Sequence, residues 1–166
     1  MAVGIVAFAF GTPDSIFPNW LIAKITLRKA RELNAPIYTQ RDIRINVLME
    51  PRIEVRYIKE KPDNPPPTLR IARGAVQWAK QHRLTELWVV AAKPHLWRVL
   101  RDVQQSVQED GALIEVHVCE EIKQYSKDSW FWPDSTQKRT RSWKNWWPRE
   151  LILRLMPFFI YKRVAS

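Results

Sequence analysis

The first third of the chain combines a continuous apolar run with an amphipathic segment. Residues 3–10 are apolar throughout and end at Gly11, which is typical of a strand buried on both faces. From residue 20 to 33 the apolar side chains recur every three or four positions, which predicts an amphipathic helix that Asn34 ends. Residues 37–39 predict a short second strand. This order of elements predicts a parallel unit of an α/β sheet.

The middle of the chain changes to strict alternation. Residues 43–58 alternate apolar and polar positions, which predicts strands with one solvated face. The sequence Met49-Glu50-Pro51 leaves two interpretations open, a hairpin or two runs that join different parts of the sheet. Four prolines within residues 61–67 predict a stiff connector. Thr68 is a fair N-cap for a helix over residues 69–82.

The clearest unit follows that helix. Residues 87–92 predict a buried strand, Lys93-Pro94 breaks it, and residues 95–110 have the apolar spacing of a helix that Gly111 caps. Residues 113–118 alternate and predict a strand nearer the sheet edge. Strands that alternate with helices predict an α/β fold with three layers, a mainly parallel sheet with helices on both faces, which is Rossmann-like.

The last part of the chain is rich in tryptophan. Residues 120–147 predict a loop-rich segment, and a helix is expected to begin near Pro148 within the C-terminal helix and basic tail, residues 148–166. Its predicted apolar face consists of Leu151, Ile152, Leu155 and Met156. We expect this face to pack against the domain's own sheet, with tryptophans closing the seam and cations on the solvated side.

Length and composition favour one folded domain over residues 1–166. Apolar residues make up 46% and charged residues 27%, which is close to the globular average. Neither an apolar run of about 18 residues nor a basic leader with a cleavage site occurs, so a cytoplasmic protein is expected, with peripheral membrane association left open. The single Cys119 cannot form an internal disulfide, and with three distant histidines it does not resemble a zinc ligand set, so no metal site is predicted.

The net charge of +10 is concentrated at the end of the chain. Residues 138–166 contain eight lysines and arginines and one acid, Glu150, and five of the nine tryptophans lie in or just before this stretch. Cations interleaved with aromatic rings are typical of surfaces that bind nucleic acid or an anionic membrane. Residues 138–163 are therefore an alternative functional region.

In open parallel sheets, ligands bind beyond the carboxyl ends of the strands. The N-termini of helices at that edge favour an anion, so we expect a small anionic ligand. The candidate ligand-binding residues follow predicted strands or begin predicted helices: Gly11, Thr12, Asp14, Gln40, Arg41, Thr68, Lys93 and Arg98. A simpler interpretation gives Thr68 only a capping role.

His95 is the candidate catalytic residue, because it is the one side chain at a predicted strand end that titrates near neutrality. A helix N-terminus favours its neutral form, which suits a general base. Ser15, Asp14 and Asp42 are candidate nucleophiles, and their spacing singles out none of them. His82 and His117 are predicted to be surface or packing residues.

Residues 87–99 resemble the hydrophobic strand, polar turn and His-x-x-Arg helix start of the domain of unknown function that YdcF, SanA and ElyC share. The similarity covers most of residues 3–118, and its specific residues are His95 and Arg98. It implies a bacterial α/β domain linked to envelope maintenance, with a pocket for S-adenosylmethionine or a phosphate-containing ligand. SanA-like and ElyC-like members also have an N-terminal membrane segment, which is not expected here.

The chain departs from this family at two places. Gln40-Arg41 stands where the family usually has a glycine pair, and Arg70-Ile71-Ala72 stands where it has an asparagine. The sequence therefore predicts a YdcF/SanA-like domain that binds a small anionic or nucleotide-like ligand, with hydrolase or transferase activity as an extension. The alternative is a basic, tryptophan-rich module that binds nucleic acid or an anionic membrane surface.

Overall fold

The computed structural model describes residues 2–45, 52–59 and 66–165. The turn at residues 49–51, where a hairpin is one interpretation of the sequence, lies outside the described residues. No helix within the described ranges combines the length and the apolar character that a membrane crossing needs.

The core of the protein is a five-stranded parallel sheet. Its strands are β1 (Val3–Ala7), β2 (Ile37–Thr39), β3 (Val55–Tyr57), β4 (Glu86–Val90) and β5 (Glu115–Val118), in the order β3-β2-β1-β4-β5. Every described pairing is parallel. This arrangement confirms the predicted Rossmann-like α/β class. The strand order reverses direction between β1 and β4, which is where such sheets leave a crevice for ligands.

Helices cover both faces of the sheet, as predicted. The helices are α1 (Phe17–Leu33), α2 (Thr68–Gln81) and α3 (Lys93–Asp110). Successive side chains of β1 point to opposite faces, so Ile5 joins the apolar cluster of α1 and Trp130, whereas Val6 joins the cluster of α2 and α3. Asn34 and Gly111 end α1 and α3 in the left-handed conformation, as their residue types predict.

The alternating segment differs from its predicted structure. Only Val55–Tyr57 forms a strand among its described residues, and it pairs in parallel with β2. Ile43 and Ile45 are fully buried in an irregular turn, in which the Ile43 amide donates to the carbonyl of Gln40 at 3.1 Å. Alternating burial does not require a strand, because a turn that packs every second side chain inward produces the same pattern.

The C-terminal region begins with three short 3₁₀ helices, at Glu120–Gln124, Asp128–Trp130 and Lys138–Arg141. Two α-helices follow, α4 (Trp143–Leu155) and α5 (Phe158–Ala165). The predicted start of α4 near Pro148 is wrong, because the helix begins five residues earlier, at Trp143. Ser142 caps it and accepts a hydrogen bond from the amide of Asn145 at 3.3 Å. Pro148 lies inside the helix, where it removes one backbone hydrogen bond.

The predicted orientation of α4 is also wrong. Ile152 and Leu155, expected to pack on the sheet, are 60% and 75% exposed. The buried side chains are Trp146, Glu150 and Leu153, which recur at the spacing of one helical face. The Trp146 ring packs against Phe10, and the two ring centroids are 4.6 Å apart. The prediction that tryptophans close the seam between this helix and the domain is therefore correct for Trp146.

We expect leucines two positions apart in α4 to differ sharply in their effect on stability. Leu153→Ala should lower the free energy of unfolding by about 2–5 kcal/mol, because it leaves a cavity beside Leu69 and Tyr161. Leu155→Ala should change it by less than about 0.5 kcal/mol, because that side chain is mainly in water. Urea unfolding of both variants measures this difference, and similar losses would contradict the orientation of α4.

Candidate ligand-binding site

A buried asparagine organises the glycine turn after β1. The Asn19 side chain, which projects from α1, accepts from the Phe10 amide at 2.9 Å and donates to the Gly11 carbonyl at 2.9 Å. Gly11 has a φ of +96°, and a Cβ atom there would lie 2.5 Å from Thr140 Oγ1 and 2.9 Å from Ser135 Oγ. The turn therefore requires glycine both for its backbone conformation and for its contact with the C-terminal region.

Three predicted site residues meet through hydrogen bonds between the starts of α2 and α3. Thr68 is not the N-cap of α2, because that position belongs to Pro67 and Thr68 is the first helical residue. Its Oγ1 atom lies 3.1 Å from His95 Nε2 and accepts from Arg98 Nη1 at 2.8 Å. Each of these three side chains is buried. The hydroxyl of Thr68 thus joins α2 to α3 instead of capping its own helix.

A buried ion pair fixes the C-terminal region against this group. Arg98 Nε donates to Glu150 Oε2 at 3.0 Å, and Arg154 Nε donates to Glu150 Oε1 at 3.1 Å. Arg154 also donates to the carbonyl of Pro94 at 3.0 Å. Glu150 is only 1% exposed, so both of its oxygen atoms are satisfied by arginines. Sequence reasoning identified Glu150 only as the single acid of the tail.

His95 is held neutral between aromatic rings. Its ring lies 6.2 Å from Phe10 and 5.5 Å from Trp146 between centroids. Burial, followed by the positive charges of Arg98 and Arg154, lowers the pKa of His95 well below its ordinary value. Thr68 Oγ1 already accepts a hydrogen bond from Arg98, so its own hydroxyl hydrogen is available to His95 Nε2. In that arrangement the ring proton is on Nδ1.

Two ring nitrogens of this group are buried without a partner. Neither His95 Nδ1 nor Trp146 Nε1 has a hydrogen-bond partner among the described residues. Both residues line one cavity. A buried ring nitrogen without a partner costs free energy, and these two nitrogens are sealed from solvent as well as unpartnered.

The cavity has a volume of about 580 Å³ and lies at the carboxyl ends of β1, β2 and β4. The predicted site residues that line it are Gly11, Gln40, Asp42, Thr68, His95 and Arg98. The C-terminal region contributes exposed cations, namely Lys138, Arg139 and Arg149. None of these three forms an ion pair or side-chain hydrogen bond with a residue that the structure describes. The cavity therefore combines a buried polar floor with an unpaired cationic rim.

Four predicted ligand-binding residues do not line the cavity: Thr12, Asp14, Arg41 and Lys93. The Thr12 carbonyl accepts from the amide of Thr136 at 2.8 Å, and Asp14 forms an ion pair with Arg44. Of the candidate nucleophiles, Ser15 is exposed outside the cavity and Asp42 lines it. The carboxyl ends of the strands thus bring together only some of the predicted site residues.

The other histidines lie away from this cavity. His82 Nδ1 is 3.0 Å from the Trp78 carbonyl, and the His117 ring stacks on Trp88 with centroids 4.9 Å apart. Within the described ranges, no three side chains of His, Cys, Asp or Glu are grouped so that they could hold a metal ion.

The chain matches no protein-family model and no curated protein. Its resemblance to the YdcF, SanA and ElyC domain stays a prediction from residues 87–99.

We expect Glu150→Ala to lower the free energy of unfolding by about 3–5 kcal/mol, because the substitution leaves Arg98 buried without its carboxylate. Glu120→Ala is the matched control, since it breaks an exposed pair with Lys123 and should cost less than about 1 kcal/mol. Urea unfolding of the two variants provides the comparison. A small loss for Glu150→Ala would show that the pair does not hold α4 in place.

His95 should make stability depend on pH. The unfolded chain takes up a proton on this histidine near pH 6.5, whereas the folded chain does so only well below that value. The folded protein therefore loses stability as pH falls below about 6.5, by at most about 1.4 kcal/mol per pH unit from this residue. His95→Gln should lack this contribution, so the stability difference between the two proteins should change between pH 7.5 and pH 5. The free energy of unfolding of both proteins is measured with urea at each pH. If it changes with pH in the same way for both, the lowered pKa assigned to His95 is contradicted.

Proposed function

We propose that the protein binds a small anionic ligand, phosphate-bearing or nucleotide-like, in the cavity at the strand ends. One observation carries this proposal: the cavity has a rim of three cations without a described partner above a buried polar floor that contains Thr68, His95 and Arg98. A phosphate group offsets the charge of this rim and accepts hydrogen bonds from its lysine and arginine side chains. The start of α3 adds the partial positive charge of a helix N-terminus.

The size of the cavity favours a ligand larger than inorganic phosphate. Small-molecule sites usually measure about 300–1,000 Å³, and this cavity lies within that range. Phe10, Ile71 and Leu153 supply apolar surface beside the polar groups. A ligand with one anionic end and one planar or apolar end uses both parts of this lining, as a nucleotide does.

We also propose that the chain is a divergent member of the YdcF, SanA and ElyC family. This proposal is supported by the positions of His95 and Arg98, the two specific residues of the resemblance, which share one cavity with the glycine turn. The family resemblance suggests S-adenosylmethionine or a phosphate-containing ligand. The charge of the rim favours the second, because S-adenosylmethionine carries a net positive charge that the cations Lys138, Arg139 and Arg149 would repel.

Catalysis is an extension of this proposal, with His95 as the base of a hydrolase or transferase. The lowered pKa of His95 keeps its ring neutral at neutral pH. Base action requires the other tautomer, in which the ring proton is on Nε2 toward Thr68 and Nδ1 carries the free lone pair. Asp42 is the candidate nucleophile that lines the cavity. The binding proposal does not depend on this extension.

Removing rim charges should weaken binding without affecting folding. We expect Lys138→Gln with Arg139→Gln to lower the affinity for a nucleoside monophosphate or triphosphate at least about tenfold, because two charged donors are lost. Isothermal titration calorimetry with inorganic phosphate, AMP, ATP and S-adenosylmethionine measures the effect. Lys138 and Arg139 suit this test better than Arg98, because substitution of Arg98 also breaks its buried ion pair with Glu150.

The charge-matched control is Lys144→Gln with Arg163→Gln, because these exposed cations do not line the cavity. A second pair of variants tests the aromatic wall of the cavity. Trp146→Phe replaces an indole ring that lines the cavity, whereas Trp130→Phe replaces one outside it. We expect only Trp146→Phe to weaken binding. If the wild-type protein binds none of the phosphate compounds, or if all variants bind equally, the proposal is wrong.

A further inference from the structure

The helices α4 and α5 carry a concentration of exposed apolar side chains. Six such side chains occur within 14 positions: Leu151, Ile152, Leu155, Phe159, Ile160 and Val164. Leu155 is 75% exposed, and the other five are between 40% and 66% exposed. Trp143 at the start of α4 is also 37% exposed, and the other large exposed apolar residues, such as Leu113 and Trp97, lie elsewhere in the fold. Apolar surface concentrated in this way usually marks an interaction site. We call these six residues the α4–α5 face.

The opposite sides of the same helices hold them in place. Leu153, Tyr161 and Ala165 form an apolar cluster with Leu69 of α2. The Tyr161 hydroxyl donates to Asp102, and the Arg101 guanidinium lies 4.0 Å from the Tyr161 ring centroid. The α4–α5 face therefore points away from the domain, and its helices cannot rotate to bury it without breaking these contacts.

Cations border the apolar residues. Lys144 and Arg149 are exposed on the outward side of α4, and Arg163 is exposed one turn after Phe159 on α5. None of these three pairs with an acid among the described residues. The one acid of α4 and α5, Glu150, is buried against Arg98. The face is thus apolar in its centre and cationic at its border.

This combination fits a lipid surface better than a protein copy or a nucleic acid. In a symmetric dimer the same patch faces itself, so Lys144, Arg149 and Arg163 of both copies would lie in one interface without an exposed acid of α4 or α5 to pair with them. Nucleic acids bind through cations and stacked aromatic rings and make no use of exposed aliphatic side chains such as Ile152 and Leu155. Helices that lie on bilayers place aliphatic and aromatic side chains at the acyl boundary and cations among the headgroups.

We propose that the α4–α5 face docks the protein on an anionic lipid bilayer. The six apolar side chains enter the boundary between headgroups and acyl chains, and Lys144, Arg149 and Arg163 bind lipid phosphates. Docking by this face does not depend on the function proposed for the cavity. The two regions adjoin, however, because Arg149 and Val164 also line the cavity. Docking would place the cavity close to the membrane surface.

Sedimentation of the whole protein with vesicles tests this proposal. Vesicles of phosphatidylcholine with about 30% of the anionic lipid phosphatidylglycerol are compared with vesicles of phosphatidylcholine alone. We expect binding to the anionic vesicles only, and a steep fall in binding with salt. Ile152→Ser with Leu155→Ser and Phe159→Ser should weaken binding about tenfold or more. Lys144→Gln with Arg163→Gln should weaken it roughly fivefold for each cation removed.

The matched controls change similar side chains elsewhere. Leu113→Ser removes a 95% exposed leucine before β5, and Arg56→Gln removes an exposed cation of β3. Neither should alter vesicle binding. Because the changed residues are exposed, circular dichroism should show all variants folded. Equal binding by all variants overturns the proposal, as does self-association in light scattering without vesicle binding. The proposal is also overturned, in favour of nucleic-acid binding, if the protein does not bind vesicles but binds RNA and keeps that binding after the three serine substitutions.

Discussion

The buried pair of Arg98 and Glu150 is the interaction on which the site depends. It joins the first turns of α3 to α4, across 52 positions of the chain. Burying both charges costs solvation free energy, which is offset only when the remaining donors and acceptors are satisfied. Thr68 and Arg154 supply those partners at 2.8 Å and 3.1 Å. Because this network is complete, Trp146 is placed against Phe10 and closes one wall of the cavity.

Much of the fold is predictable from the sequence, because local periodicity determines it. The apolar run of β1 divides between two layers, with Ile5 on one face and Val6 on the other, as a buried parallel strand must. Asn34 and Gly111 mark helix ends through their left-handed conformations. The segment after β2 is not predictable in this way, because the burial of Ile43 and Ile45 depends on the residues they pack against and not on their own alternation.

The site is predictable only where topology determines it. Parallel strands bring their carboxyl ends to one edge, so Gly11, Thr68 and His95 meet there although they are distant in sequence. The partners that complete the site come from tertiary packing. Asn19 resembles any polar residue of an amphipathic helix, and Glu150 resembles any acid of a basic tail. A lone acid within a cationic region is nevertheless a signal, because a neighbouring arginine can retain it as a buried counterion.

The orientation of α4 links the cavity to the exposed apolar face. Successive residues of an α-helix are rotated by about 100°, so Ile152 and Leu155 lie about 160° and about 140° from Glu150 around the axis. If Glu150 points inward to Arg98, those two side chains must point outward, whatever their hydrophobicity favours. The opposite orientation would bury Ile152 and Leu155 but expose Trp146 and Leu153 and leave Arg98 buried without an anion, which is the costlier arrangement. The ion pair that builds the cavity thus also exposes the surface that we propose for membrane docking.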